Sequence, residues 1–283
     1  MPSLPLDTTF AVTGSTGRLG GRVARRLAAA GVAQTLLARD PGRAPRLPGA
    51  VAVPGSYGDR EAVVRALRGV DRLLMVSAAE TADRVDTHRV FVDAAVEAGV
   101  GHLVYISFYG AAPDATFTLA RDHWHTEQHI RAAGVPFTFL RDNLYADFMP
   151  GLVGDDGVIR GPAGEGRAAA VVAQDDIADA STAVLTGAPD HAGATYDLTG
   201  PEALTLGEIA DVLTGTTGRT VRYQPESVAE AYRTRASYGA PDWQLDAWVS
   251  TYTAIAAGEL AGVTDCVPRL TGRPATPLAD VVR

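Results

Sequence analysis

The chain has 283 residues, 46% of them hydrophobic and 20% charged, which exceeds the usual length of one compact domain and is ample for a sizeable core. A formal net charge of −8 argues against a general binder of nucleic acid or of an anionic membrane surface, and suits a soluble enzyme with a small-molecule substrate. All 25 basic side chains are arginine, so no Schiff-base lysine, no P-loop lysine and no Tyr-x-x-x-Lys pair exists here.

Cys266 is the single cysteine, which excludes an intrachain disulfide and a cysteine metal cluster. The opening MPSLPLDTTF lacks a basic segment followed by a long apolar run, and no window reaches the ~20 apolar residues of a membrane span. A cytoplasmic address, no membrane partner and no nucleic-acid partner are therefore expected.

The first element lies in TTFAVTGSTGRLGGRVARRL, from Thr8 to Leu27. The apolar run Phe10–Val12 predicts a strand, and Leu19, Val23 and Leu27 predict a helix at 18–30. Between them stand Gly14, Gly17 and Gly20, in GxxGxxG spacing. Strand, glycine turn and helix form the context in which backbone approaches a dinucleotide pyrophosphate and free helix N–H groups face it.

Further buried parallel strands are predicted at 35–38, 51–53, 73–76, 103–106 and 137–140, with helices at 59–67, 85–98 and 120–133. The four helices end near Gly31, Gly69, Gly99 and Gly134. Such alternation predicts right-handed crossovers and an α/β fold, a doubly wound parallel Rossmann sheet in the order 3-2-1-4-5-6. After about Tyr145 the rhythm changes. Residues 151–166 contain six glycines and read as turns or a short hairpin. Helices follow at 175–185, 205–213, 227–238 and 242–257, with strands at 194–198 and 221–223, and Thr205 and Glu208 are spaced as a capping box. The division expected is a Rossmann domain at 1–150 and a smaller α/β lobe at 151–283 on the substrate side, some of whose elements return to the sheet.

Arg39 follows the second strand, where an arginine accommodates the 2′-phosphate of NADP and an acidic residue would bind the ribose hydroxyls of NAD. Arg18 is a second candidate for the same phosphate. Asp40 follows at once and takes the NAD role if the strand ends later; a further alternative is that Arg39 merely caps a strand end at the surface. Asp59 reads chiefly as a helix N-cap. Ser77-Ala78-Ala79 ends the fourth strand beside the switch point of the sheet, where small residues let backbone pass close to the nicotinamide ribose.

In HWHTEQH, His123 and His125 point about 160° apart on a helix, and only His125 and His129 share a face. No carboxylate completes a metal site there, and no metal is expected. His123 has an intrinsic pKa near neutrality, suited to giving a substrate oxygen a proton or a hydrogen bond. Tyr232, Tyr238, Trp243 and Trp248 either line an aromatic-binding pocket or pack within the C-terminal helices.

TGSTGRLG, LLARDPGR, YGD, LLMVSAAE, HWHTE and LRDNLY occur in the order and spacing of the atypical short-chain dehydrogenase/reductases. Over nearly its full length the chain resembles the NmrA-like branch, with its type 2 NAD(P)H:quinone oxidoreductases and triphenylmethane reductases. The resemblance implies NADP(H) held by Gly14, Thr16, Gly17, Arg18, Leu19 and Arg39, with Ser77 and Ala78 near the nicotinamide. It implies His123 beside the nicotinamide, and Asn143 and Tyr145 lining the pocket after the sixth strand. Ser107 and Tyr109 stand where other short-chain dehydrogenases use serine and tyrosine, but without the lysine that depresses the tyrosine pKa. The activity implied is hydride transfer to a quinone or similar conjugated carbonyl compound, by a monomer or homodimer with an aromatic or quinone-like substrate. The branch also contains nucleotide-sensing regulators without turnover, and the fold hosts tailoring reductases and epimerases.

Overall fold

The computed structural model describes residues 9–187 and 190–283; Thr8 and most of the segment read for a leader lie outside the described residues. The chain runs β1 (Phe10–Thr13), α1 (Arg18–Ala29), β2 (Gln34–Ala38), β3 (Ala50–Pro54), α2 (Arg60–Leu67), β4 (Arg72–Met75), α3 (Arg84–Glu97), β5 (His102–Phe108), α4 (Thr118–Ala133) and β6 (Phe137–Asp142). It continues through β7 (Val158–Gly161), β8 (Ala168–Ala169), α5 (Gln174–Gly187), β9 (Thr195–Leu198), β10 (Leu204–Thr205), α6 (Leu206–Thr217) and β11 (Arg222–Pro225). Helices α7 (Val228–Ala236), α8 (Asp242–Ala257), α9 (Cys266–Thr271) and α10 (Leu278–Val281) complete it.

The main sheet has the order β3-β2-β1-β4-β5-β6-β9, the expected doubly wound order with one later strand at its edge. The pairs β1–β2, β1–β4, β2–β3 and β4–β5 are parallel. β1 and β5 are buried along their whole length, as strands covered on both faces must be. The glycines expected after the first four helices follow them in the left-handed region.

Contacts divide the chain into two units. The first takes the chain up to Ser107, His123–Arg141 and Asp175–Tyr196; the second takes Phe108–Asp122, Asp142–Gln174 and Asp197–Arg283. In the first unit, Leu73, Phe91, Tyr105, Ile130 and Phe139 are fully buried in one core. The second has its own core around Met149, Ile159, Ile209, Leu213 and Ile255. It also holds two small sheets, β8 antiparallel to β10 and β7 parallel to β11. The expected capping box is present on α6, with Glu208 N–H donating to Thr205 Oγ1 at 3.1 Å and Thr205 N–H to Glu208 Oε2 at 2.8 Å. Ser227 and Glu230 repeat the device on α7. Among the described residues, no helix is long and apolar enough to cross a membrane.

Candidate active site

The glycine turn opens with Gly14 at φ +65°, a conformation that a side chain would strain, and closes with Gly17 N–H donating to Gly14 O at 2.9 Å. Helix α1 begins at once, with no side chain capping its first N–H groups. Gly20 faces the turn so closely that a Cβ there would lie 2.5 Å from Gly14 O. Ser15, Thr16, Gly17 and Arg18 line a hollow together with Arg22, Arg25, Arg26 and Arg43. Asp175 holds Arg22 at 3.2 Å and Arg26 at 2.7 Å, and Arg26 also pairs with Asp179. Ser15 Oγ is buried and has no hydrogen-bond partner among the described residues. An uncapped helix start, an unpartnered hydroxyl and a cluster of arginines fit a pyrophosphate.

Arg39 lies elsewhere in this unit, exposed at a hollow with Gly55, Ser56, Asp59 and Arg65. Asp40 has a different task. Its carboxylate accepts Gly42 N–H at 3.0 Å and caps the 3-10 turn Pro41–Arg43, which carries Arg43 to the glycine hollow. Asp59 caps α2, accepting Ala62 N–H at 3.0 Å. Leu19 is buried, so it would meet a nucleotide through its backbone.

Ser77 Oγ donates to Ile106 O at 2.7 Å, and Ala78 N–H donates to His88 Nε2 at 2.9 Å. His88 Nδ1 is 2.9 Å from Thr126 Oγ1, and Tyr105 Oη is 3.0 Å from His123 Nδ1. Burial lowers the pKa of both histidines: His88 falls to about 3, and His123, also facing Arg84, His88 and Arg141, falls well below its ordinary value. Burial also pushes Tyr105 up to about 12 and raises Tyr109. These groups are uncharged at neutral pH, so His123 offers a hydrogen bond rather than an acidic proton.

A dependence of stability on pH follows. His102, hydrogen-bonded to Thr138 Oγ1 at 2.9 Å, is lowered to about 4, chiefly by burial. In the unfolded chain these histidines titrate near 6.5, so below that pH the unfolded state binds protons that the folded state refuses. Each histidine should remove up to about 1.4 kcal/mol of stability per pH unit as the pH falls from about 6.5 towards about 4. Urea midpoints across this window should decrease steadily; constant midpoints from about pH 7 to about pH 5 would contradict the buried neutral rings.

Ser107 Oγ donates to Glu127 Oε1 at 2.7 Å. Glu127 is fully buried and also accepts Nε–H and Nη2–H of Arg141, at 2.7 and 2.6 Å. Ser107 is thus tied into a buried ion pair beneath the β5 end. His125 is exposed, and His129 Nε2 lies 2.7 Å from Asp93. Among the described residues, no cluster of His, Cys, Asp or Glu could hold a metal ion.

In the second unit, the buried Asn143 uses both ends of its amide, Nδ2 donating to Leu260 O at 3.0 Å and Oδ1 accepting Leu144 N–H at 2.8 Å. It pins the turn that presents Tyr145. The Tyr145 hydroxyl donates to Asp142 Oδ2 at 2.8 Å, and its ring meets Phe148 edge-on. Tyr145 lines a cavity of about 620 Å³ with Phe148, Met149, Tyr238, Trp248 and Tyr252. Arg235, nearly buried, pairs with Glu226 at 3.0 Å in the cavity wall. Of the four C-terminal aromatics singled out, Tyr238 and Trp248 line this cavity, while the Tyr232 hydroxyl bonds Asp246. Reading the sequence missed Arg43, His88, Thr126 and Arg235. Only Arg43 had a local signal, the turn-forming Asp-Pro-Gly before it.

The model of the NmrA-like family matches residues 7–238. A Streptomyces griseus (4-alkanoyl-5-oxo-2,5-dihydrofuran-3-yl)methyl phosphate reductase is 38% identical over 274 residues, 95% of this chain and 95% of that one. An NADPH-dependent quinone oxidoreductase from Escherichia coli, solved with NADPH, superposes with a TM-score of 0.87 at 32% identity, covering 96% of this chain and 98% of its own. The triphenylmethane reductase of a Citrobacter species, solved with NADP(H), superposes with a TM-score of 0.85 at 31% identity, covering 96% and 98%.

Proposed function

The chain belongs to the NmrA-like family and is an NAD(P)H-dependent oxidoreductase, and we propose that its acceptor is a quinone or a similar conjugated, electron-poor carbonyl compound. The observation that carries this reading is that His123, Tyr105 and Tyr109 offer no acidic proton. His123 is held uncharged, Tyr105 and Tyr109 are raised rather than depressed, and no lysine exists to lower either. An isolated ketone needs a proton as its alkoxide forms. A quinone delocalises the incoming electron pair over its own ring. The alkanoyl dihydrofuran in the Streptomyces relative's name spreads the charge over two carbonyls. Such acceptors ask only for placement, exclusion of water and a hydrogen bond to the oxygen that gains charge.

In this reading residues 1–150 carry the nucleotide and 151–283 form the acceptor side. Ser15, Thr16, Gly17, Arg18 and the backbone of Gly14 and Leu19 would hold the pyrophosphate. Arg39 would take the 2′-phosphate, with Arg43 beside Arg18 as further positive charge. Ser77, Ala78 and Ser107 would border the nicotinamide. The bound cofactor supplies the hydride. Within the first unit His123 would offer an uncharged N–H donor; within the second, Tyr145 and the aromatic cavity wall would offer an apolar surface, and Asn143 holds Tyr145 in place.

Replacing Arg39 by alanine should weaken NADPH about 10–100-fold, the worth of a charge-assisted hydrogen-bond pair, and leave NADH nearly unchanged. Comparable losses for both nucleotides would remove Arg39 from the 2′-phosphate. The acceptor is tested by NADPH oxidation with a panel pairing quinones and acyl dihydrofurans against saturated ketones. Turnover confined to the conjugated members is expected; equal turnover of saturated ketones would overturn the proposal.

A further inference from the structure

We propose that His88 is a positioning residue, which holds the segment Ser77–Ala78 beyond β4 in the place that seats the nicotinamide half of NADPH. The inference deepens the reading of Ser77 and Ala78 as the border of the nicotinamide and rests on it. Every residue it uses lies within the first unit. β1 and β4 are neighbours where the strand order reverses, and an open α/β sheet takes its ligand beyond the C-terminal ends of such strands. Gly14 follows β1 there and Val76 follows β4. The two are in close contact, since a Cβ on Gly14 would lie 3.0 Å from Val76 Cβ. Ser77 and Ala78 therefore leave from beside the glycine turn.

The polar groups of this segment are bonded inward. Val76 N–H donates to Thr13 Oγ1 at 2.9 Å, and Val76 O accepts the Tyr57 hydroxyl. Ser77 Oγ donates to Ile106 O at 2.7 Å, and Ala78 N–H donates to His88 Nε2 at 2.9 Å. Thr13 and Ile106 belong to the sheet itself, on β1 and β5. His88 comes from α3, and of the bonds described it alone holds Ala78, the residue farthest beyond the strand. Hydride transfer tolerates little misplacement of the nicotinamide, so a segment at its border needs a fixed backbone.

The ring of His88 is built for that single task. It is wholly buried, and both of its nitrogens are engaged, Nε2 by Ala78 and Nδ1 by Thr126 Oγ1 at 2.9 Å. A backbone amide can only donate, so Nε2 is the bare nitrogen and the proton of the neutral ring sits on Nδ1. Nδ1–H then donates to the threonine oxygen, which asks nothing of that hydroxyl's own hydrogen. One bond fixes the ring and the other holds Ala78. Tyr57 and Tyr105 stand against its sides, with ring centroids at 6.1 and 5.9 Å, and Tyr57 is itself stacked on Phe91.

The test compares two nucleotides on the full chain by titration calorimetry: NADPH, and 2′-phospho-ADP-ribose, which is NADPH without its nicotinamide ring. His88→Phe keeps a buried ring and removes both bonds. It should weaken NADPH about tenfold, the worth of an amide left without its acceptor, and leave 2′-phospho-ADP-ribose unchanged. His88→Gln, whose side-chain amide can accept from Ala78 and donate to Thr126, should restore most of the NADPH affinity. His88→Leu gives the same comparison if His88→Phe does not fold. A two-bond nitrogen–proton correlation spectrum of the unaltered chain, labelled in its six histidines and assigned with His88→Gln, should show His88 as the Nδ1–H form. Equal losses for both nucleotides, an unchanged NADPH affinity, or His88 with its proton on Nε2 would each overturn the proposal. No acceptor is present, so absence of quinone turnover leaves this result standing. An unaltered protein that binds the two nucleotides alike would remove Ser77 and Ala78 from the nicotinamide together with His88. A preference for NADPH that persists in His88→Phe would remove His88 alone.

Discussion

Replacing Arg141 by methionine should lower the unfolding free energy by about 3–5 kcal/mol, a large part of what a domain possesses. Glu127 is fully exchanged out of water between α4 and β6, and Arg141 meets both of its oxygens. Without the guanidinium, only the Ser107 hydroxyl would remain of the bonds described for that carboxylate. A buried charge that loses its partner costs far more than the intact pair contributes. Pairing the change with Glu127→Gln should recover most of the loss, because the uncompensated charge disappears with it. Urea unfolding at neutral pH measures both. A single substitution that costs under about 1 kcal/mol would show the carboxylate reaching water or another cation.

Gly20→Ala should weaken NADPH binding about a hundredfold or more, while destabilising the fold by about 1–3 kcal/mol. The added methyl would lie 2.5 Å from Gly14 O and 2.6 Å from Thr13 O, which are backbone atoms of the turn and of β1. Neither is the free end of a flexible side chain. The start of α1 and the turn must therefore separate, and the N–H groups and Ser15 hydroxyl lose their common aim. Isothermal titration with NADPH and thermal unfolding read the two effects. Gly58, where an added Cβ would meet nothing within 4 Å, provides the control; Gly58→Ala should leave affinity unchanged. Unaltered affinity in Gly20→Ala would remove the turn from the nucleotide site.

The first six strands and four helices were legible because each is a local pattern: an apolar run, a helical repeat and a glycine behind it. The capping box on α6 was legible for the same reason, being written in two residues three apart. β7 was legible in part: its glycine-rich stretch reads as turns or a short hairpin, and Val153 does bridge Ile159 antiparallel, but the pairing along Val158–Gly161 is with β11, more than sixty residues onward. By sequence Asp40 is an alternative ribose ligand, and the structure gives its carboxylate to Gly42 N–H. His123 stood out within HWHTEQH, yet its surroundings did not. His88 lies on another helix, and only the sheet brings Tyr105 between them. A lowered histidine pKa is a property of burial, which no motif records. The sequence reading therefore placed His123 near neutrality as a proton donor, and burial removes that option while leaving the hydrogen bond.

In the proposed function this site passes hydride from NADPH to an acceptor able to hold the resulting charge itself. That transfer is tested most directly by loading the protein with one equivalent of NADPH, confirming tight binding, and mixing it with a benzoquinone while nicotinamide fluorescence is followed. Loss of the signal is expected with one quinone consumed per nicotinamide, faster than in free solution, and slowed when His123 is replaced by phenylalanine. Tightly bound NADPH that survives every conjugated acceptor, with equal affinity for the oxidised and reduced nucleotide, would contradict it and leave a protein that senses the nucleotide without using it.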